Sequence, residues 1–140
     1  PGRLEVLGER PLMVVDGAHN GYSARKLRES LLKYFQFNKA VLIIGVSSDK
    51  NIEDIAMELL PMASSVIVTT SRHPRAARPG DIVSAFSRPD IMVETSRGVK
   101  EALKRAYELV GPQDLICATG SLFIVGEVIE SVKRVPAELY

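Results

Sequence analysis

The feature that most limits the fold is a repeated change of period along the chain. Five short apolar runs, Leu12–Val15, Ala40–Ile44, Ser65–Thr70, Ile91–Glu94 and Leu115–Thr119, alternate with stretches whose apolar residues recur every three to four positions. The β-branched runs read as buried strands, and the stretches between them as amphipathic helices. Ala24, Leu27, Leu31 and Phe35 share one helical face, as do Val99, Ala102, Leu103, Ala106 and Val110, which Gly111-Pro112 then stops. Further helices are expected over Ile52–Leu60, ended by Pro61, over Pro79–Phe86, opened by its proline, and over Leu122–Val132. A sixth strand, Leu4–Leu7, is separated from the next by "GER" and reads as the antiparallel half of an edge hairpin. Such alternation demands right-handed βαβ crossovers. The expected fold class is α/β, a Rossmann-like, mostly parallel six-stranded sheet with one antiparallel edge strand and helices on both faces. With no internal repeat or linker, residues 1–140 are expected to form a single domain.

The remaining bulk properties mostly exclude. Eighteen basic and 17 acidic residues leave a net charge of +1, so there is no basic excess for nucleic acid or a membrane surface. The lone Cys117 rules out an internal disulfide and fits a reducing compartment, which points to the cytoplasm. No apolar run reaches the length of a membrane span. The chain starts at Pro1 without an initiator methionine, and a fragment of a larger protein is therefore expected.

In open α/β sheets ligands bind outside the carboxyl ends of the strands. Five polar clusters fall there: "DGAHN", "GVSSDKN", "TSRHPRAAR", "ETSRG" and "ATGS". In the first, Asp16 stands where a carboxylate often binds ribose hydroxyls, Gly17 and Ala18 permit a tight turn, and Asn20 suits a helix N-cap. The plainer reading is that Asp16 and Asn20 only cap the Ser23–Tyr34 helix, with His19 exposed. In the second, Lys50 could face a phosphate with Asp49 orienting it, or Asp49 could simply cap the next helix. Arg72, His73, Arg75 and Arg78 form a basic loop that suits carboxylates or phosphates, or is merely solvated. Gly120-Ser121 opens a helix whose N–H groups could seat an anion, or Ser121 is an ordinary cap. Cys117 and the methionines read as packing. The chain contains no G-x-x-x-x-G-K-[ST], no G-x-G-x-x-G after the first strand, and no metal-ligand spacing at His19 and His73. From the residues alone the reading stops at an α/β domain that binds a small anionic ligand.

The order and spacing of "PGRLEVL", "VVDGAHN", "GVSSDKN", "PRAARP" and "ATGSLFIVGEV" carry a resemblance. From Pro1 to about Val132 the chain resembles the C-terminal domain of folylpolyglutamate synthase/dihydrofolate synthase, within the Mur ligase superfamily. It departs from that family at Gly21, where proline commonly follows the asparagine. The peptidoglycan branch usually has tyrosine at the place of Gly17, which counts against that alternative. A stand-alone nucleotide-binding module without catalysis is the other alternative. The resemblance implies an ATP-dependent ligase, in which the amine of L-glutamate attacks a folate or dihydropteroate carboxylate activated as an acyl phosphate. It also implies that the P-loop and most Mg²⁺ ligation come from a preceding N-terminal domain, so no metal ligand is expected here. By position, Arg3 would touch the nucleotide phosphates and Asp16 the ribose, with Lys50 and Arg75 also on the nucleotide side. His19 and Ser121 would lie at the incoming glutamate, His19 in a catalytic role.

Overall fold

The structure, a computed structural model, describes residues 3–138, with side chains as far as Lys133; Pro1 and Gly2 of the "PGR" stretch lie outside the described residues. Twelve elements follow one another. Strands β1 (Glu5–Glu9) and β2 (Leu12–Asp16) form a hairpin, then come helix α1 (Gly21–Tyr34), β3 (Ala40–Ile44), α2 (Ile52–Leu59) and a 3-10 turn over Leu60–Met62. After these run β4 (Ser65–Val68), α3 (Pro79–Phe86), β5 (Met92–Thr95), α4 (Val99–Leu109), β6 (Leu115–Thr119) and α5 (Leu122–Glu138). The sheet order is β1-β2-β6-β3-β4-β5, with β1 antiparallel to β2 and every other pairing parallel. The expected six-stranded α/β fold is therefore what forms.

The apolar runs of β2, β3, β4 and β6 are continuous because the sheet is covered on both sides there, whereas β5, expected to be buried, lies at the sheet edge with Met92 and Thr95 exposed. Alternate residues of each strand serve opposite faces. Val14, Leu42, Ile44, Val66 and Cys117 pack with Leu27, Leu31, Ile55 and Phe86, under α1, α2 and α3. Met13, Val15, Ile43, Ile67 and Ile116 pack with Val99, Ala106, Val125 and Val128, under α4 and α5. Cys117 has no exposed surface, and burial, helped by the charge of Asp16, pushes its thiol pKa far up. It is an inert core residue, as its place in an apolar strand suggested.

Some boundaries differ from the periodic reading. The hairpin does not turn at "GER". A register shift between Val6 and Gly8 absorbs an extra residue, so β1 continues through Glu9 and the chain reverses at Arg10-Pro11. Pro61 does not stop the chain's helical path either. It enters the 3-10 turn at a position where its missing N–H has no partner to lose. Helix α5 runs past Val132, since each added residue needs only one more backbone bond once the helix is nucleated. The N-cap of α2 is Asn51, whose side chain accepts from Asp54 N–H, and not Asp49.

Candidate functional site at the carboxyl ends of β2 and β6

Because β2 and β6 are parallel neighbours, Asp16 and Thr119 end them side by side. By the period of two, Asp16 follows Val14 onto the face covered by α1. Its two oxygens are both engaged: Oδ2 accepts from Leu4 N–H and Oδ1 from Ala18 N–H, each at 2.9 Å. Burial raises the Asp16 carboxyl above its ordinary value, against the pull of those two bonds and of the Arg3 and His19 charges. Capping of α1 is left to Asn20. Its Oδ1 accepts from Ser23 N–H at 2.8 Å, and Ser23 Oγ accepts from Asn20 N–H at 3.2 Å, a closed capping box. The plainer reading of the cluster is thus correct for Asn20 as the cap and for His19 as an exposed residue, but not for Asp16 as a cap.

His19 bonds the Gly17 carbonyl through Nδ1 at 3.0 Å. A carbonyl oxygen only accepts, so Nδ1 carries the proton, and in the neutral ring Nε2 keeps a free lone pair. Arg3, Asp16, His19, Ser23, Lys26 and Leu122 are among the residues lining a cavity of about 520 Å³. That size falls within the range of small-molecule sites. Ser23, Lys26 and Ser30 are lining residues that sequence reasoning passed over. Their signal was present, since they recur at i, i+3 and i+7 along one side of α1, beside its apolar face.

Ser121 sits at the neighbouring strand end without lining the cavity; Leu122 does so instead. Its Oγ accepts from Ile124 N–H at 3.1 Å and its carbonyl from Val125 N–H at 3.2 Å, so Ser121 caps α5. The hydroxyl proton remains available to donate. The turn before it needs glycine, and so does the end of β3 that it packs against. Gly120 has φ +115, and a Cβ there would collide with the Gly45 carbonyl, while one on Gly45 would run into Ile124. The adjoining Thr119 and, at the end of β4, Thr69 are fully buried, and their hydroxyls have no hydrogen-bond partner.

The other expected residues occupy the same rim further along. The loops after β3 and β4 are laced together: Ser48 N–H donates to the Arg75 carbonyl and Ala77 N–H to the Val46 carbonyl, both at 2.7 Å. Lys50 Nζ lies 3.9 Å from Asp49 Oδ2. Neither Lys50 nor Arg75 lines the Asp16 cavity. Nor do the clustered arginines make one anion seat. Arg72 turns onto α5, its N–H 2.8 Å from Glu127 Oε2 and its Nη2 3.3 Å from Glu130 Oε2, because these carboxylates neutralise it locally. His73 stacks on Phe123 with ring centroids 3.9 Å apart. Helix α5 is the element that claims this loop.

The profile of the family described as "Mur ligase, glutamate ligase domain" matches residues 2–122. A probable bifunctional folylpolyglutamate synthase/dihydropteroate synthase of Haloferax volcanii is 34% identical over 128 residues, covering 91% of this chain and 15% of that protein. The solved structure of Mycobacterium tuberculosis folylpolyglutamate synthase complexed with ADP superposes with a TM-score of 0.87 at 29% identity, covering 94% of this chain and 32% of that one. A bifunctional folylpolyglutamate synthase/dihydrofolate synthase with Mn, AMPPNP and L-glutamate bound superposes with a TM-score of 0.86 at 27% identity, covering 95% of this chain and 32% of that one. The chain thus spans about a third or less of the relatives it matches.

Proposed function

The chain belongs to the Mur ligase glutamate ligase domain family, and from that premise we propose that it is the C-terminal domain of an ATP-dependent ligase joining L-glutamate to a folate or dihydropteroate carboxylate. The observation that carries this reading is the convergence of Arg3, Asp16, His19 and Lys26 on one cavity at the ends of β2 and β6, with the α5 N-terminus beside it. The donor set suits a nucleotide on one side. Arg3 and Lys26 offer cations for phosphate, and Asp16 keeps lone pairs beyond its two backbone bonds for ribose hydroxyls. Lys50 and Arg75, further along the rim, would meet the nucleotide from the other flank.

The opposite side suits an amino acid. Ser121 and the first N–H groups of α5 favour a carboxylate, and the free Nε2 of His19 can hold or accept a proton of the amine. ATP supplies the phosphoryl group that activates the acceptor carboxylate. The glutamate amine then forms the amide bond as phosphate leaves and the amine gives up a proton. Among the described residues no three His, Cys, Asp or Glu side chains gather to hold a metal. In this reading most of the Mg²⁺ ligation comes from a preceding P-loop domain.

Relatives with ADP, AMPPNP and L-glutamate in their solved structures support the assignment of ligands. The deciding experiment is steady-state kinetics of the full-length enzyme with ATP and L-glutamate varied separately. Asp16→Ala should raise the ATP KM, and His19→Ala and Ser121→Ala the glutamate KM. The 140-residue chain alone should form no amide bond; ATP-dependent ligation by it would refute the division of labour between domains.

A further inference from the structure

Among the described residues, Leu4 is the one non-glycine residue with a left-handed backbone, at φ +48. A leucine is strained there, because its Cβ crowds the following carbonyl. Such a conformation persists only where surrounding structure enforces it. The enforcement is visible: Leu4 N–H donates to Asp16 Oδ2 at 2.9 Å, at the point where the chain enters β1. Asp16 is itself fixed by Ala18 N–H on its other oxygen, so the carboxylate ties the entering chain to the loop that opens α1. Arg3 and Leu4 are the residues that this tie presses against the cavity, and the Arg3 charge acts on the Asp16 carboxyl.

We infer that Asp16 is a positioning residue for Arg3: its carboxylate holds Leu4 in the left-handed conformation, and that turn sets Arg3 over the cavity. The effect on a bound nucleotide rests on the functional reading above, whereas the clamp itself does not. Without the carboxylate, Leu4 relaxes to negative φ, the peptide before it rotates, and the arginine leaves the site. A glycine at position 4 carries no penalty for positive φ and restores the turn without the clamp. A carboxylate that acted only by touching the ligand could not be compensated in that way.

The test uses the full-length protein and two readouts. The first needs no ligand: in Asp16→Ala the Leu4 amide should exchange with solvent at least about tenfold faster, while Ala24 in α1 keeps its protection and reports an intact fold. Unchanged Leu4 exchange overturns the clamp. The second is calorimetric titration with ADP. Asp16→Ala should weaken binding about tenfold or more, and adding Leu4→Gly to it should recover at least about threefold. A double variant as weak as Asp16→Ala overturns the positioning role and leaves the nucleotide site standing. If the wild-type protein takes up no ADP, the nucleotide reading falls, and the exchange comparison alone upholds or overturns the clamp.

Discussion

Asp16 and Asp114 each accept two backbone N–H bonds, yet they sit at opposite ends of the sheet and their carboxyl pKa values move in opposite directions. Asp114 stands just before β6. Its Oδ2 accepts from Gly111 N–H at 2.8 Å, its Oδ1 from Lys39 N–H at 3.0 Å, and its carbonyl from Leu12 N–H at 3.0 Å. Those bonds, Gly111 first, hold its carboxyl below the ordinary range. At Asp16 burial outweighs bonds of similar length, and the carboxyl lies above it. One end is fastened and the other is left free to bind. The Asp114 end joins three chain segments. The Asp16 end carries a left-handed leucine, an orphan threonine hydroxyl and exposed Leu122 and Phe123, features that cost stability and make sense where something binds.

The contrast is broken most forcefully at the fastened end. Asp114→Ala should lower the unfolding free energy by about 2–4 kcal/mol, since two charge-assisted bonds go and their donors stay partly buried. Denaturant unfolding measures this; a loss below about 1 kcal/mol would mean that the end is held by packing alone. Next comes Asp16→Ala, which should weaken nucleotide binding ten- to a hundredfold, about 1.5–3 kcal/mol, and destabilise less than Asp114→Ala. A reversed order of stabilities would erase the distinction between the two ends.

Ser121→Ala and His19→Ala should each raise the glutamate KM of the full-length enzyme about five- to twentyfold, one hydrogen bond's worth. The ATP KM should stay within about threefold in both. Losses confined to ATP would move both residues to the nucleotide side.

Acid separates the two aspartates by sign. The stability that Asp114 contributes is present above its unfolded pKa of about 4 and is lost as pH falls through its lower folded pKa. Asp16 does the reverse, because ionising it in the fold costs stability above pH 4, a cost that disappears once both states are protonated. Urea midpoints from pH 7 to pH 3 should therefore fall less steeply in Asp114→Asn and more steeply in Asp16→Asn than in the wild type. Equal slopes in all three would contradict both shifts. The smallest effect belongs to Thr119→Val. Replacing an orphan buried hydroxyl by a methyl of similar shape should leave stability within about 0.5 kcal/mol or improve it slightly, as thermal unfolding would show.

The alternation of strand and helix, the two-sided burial of β2, β3, β4 and β6, the Asn20 cap and the core position of Cys117 were all legible in the chain, because each depends on residues a few positions apart; the exposure of β5 was not, since it follows from its place at the sheet edge. So was the gathering of the five polar clusters at one rim, which follows from parallel strands alone. What the tertiary structure decided was how that rim divides. Strand order places β6 between β2 and β3, so Asp16 neighbours Thr119 and the α5 N-terminus, while Lys50 and Arg75 lie beyond the next strand. Arg72 finds Glu127 55 residues away, His73 finds Phe123, and Asp16 finds Leu4 across the hairpin. No local period encodes such pairs. They exist only once each strand has taken its neighbours, a choice made by the packing of two whole cores rather than by any segment's own pattern.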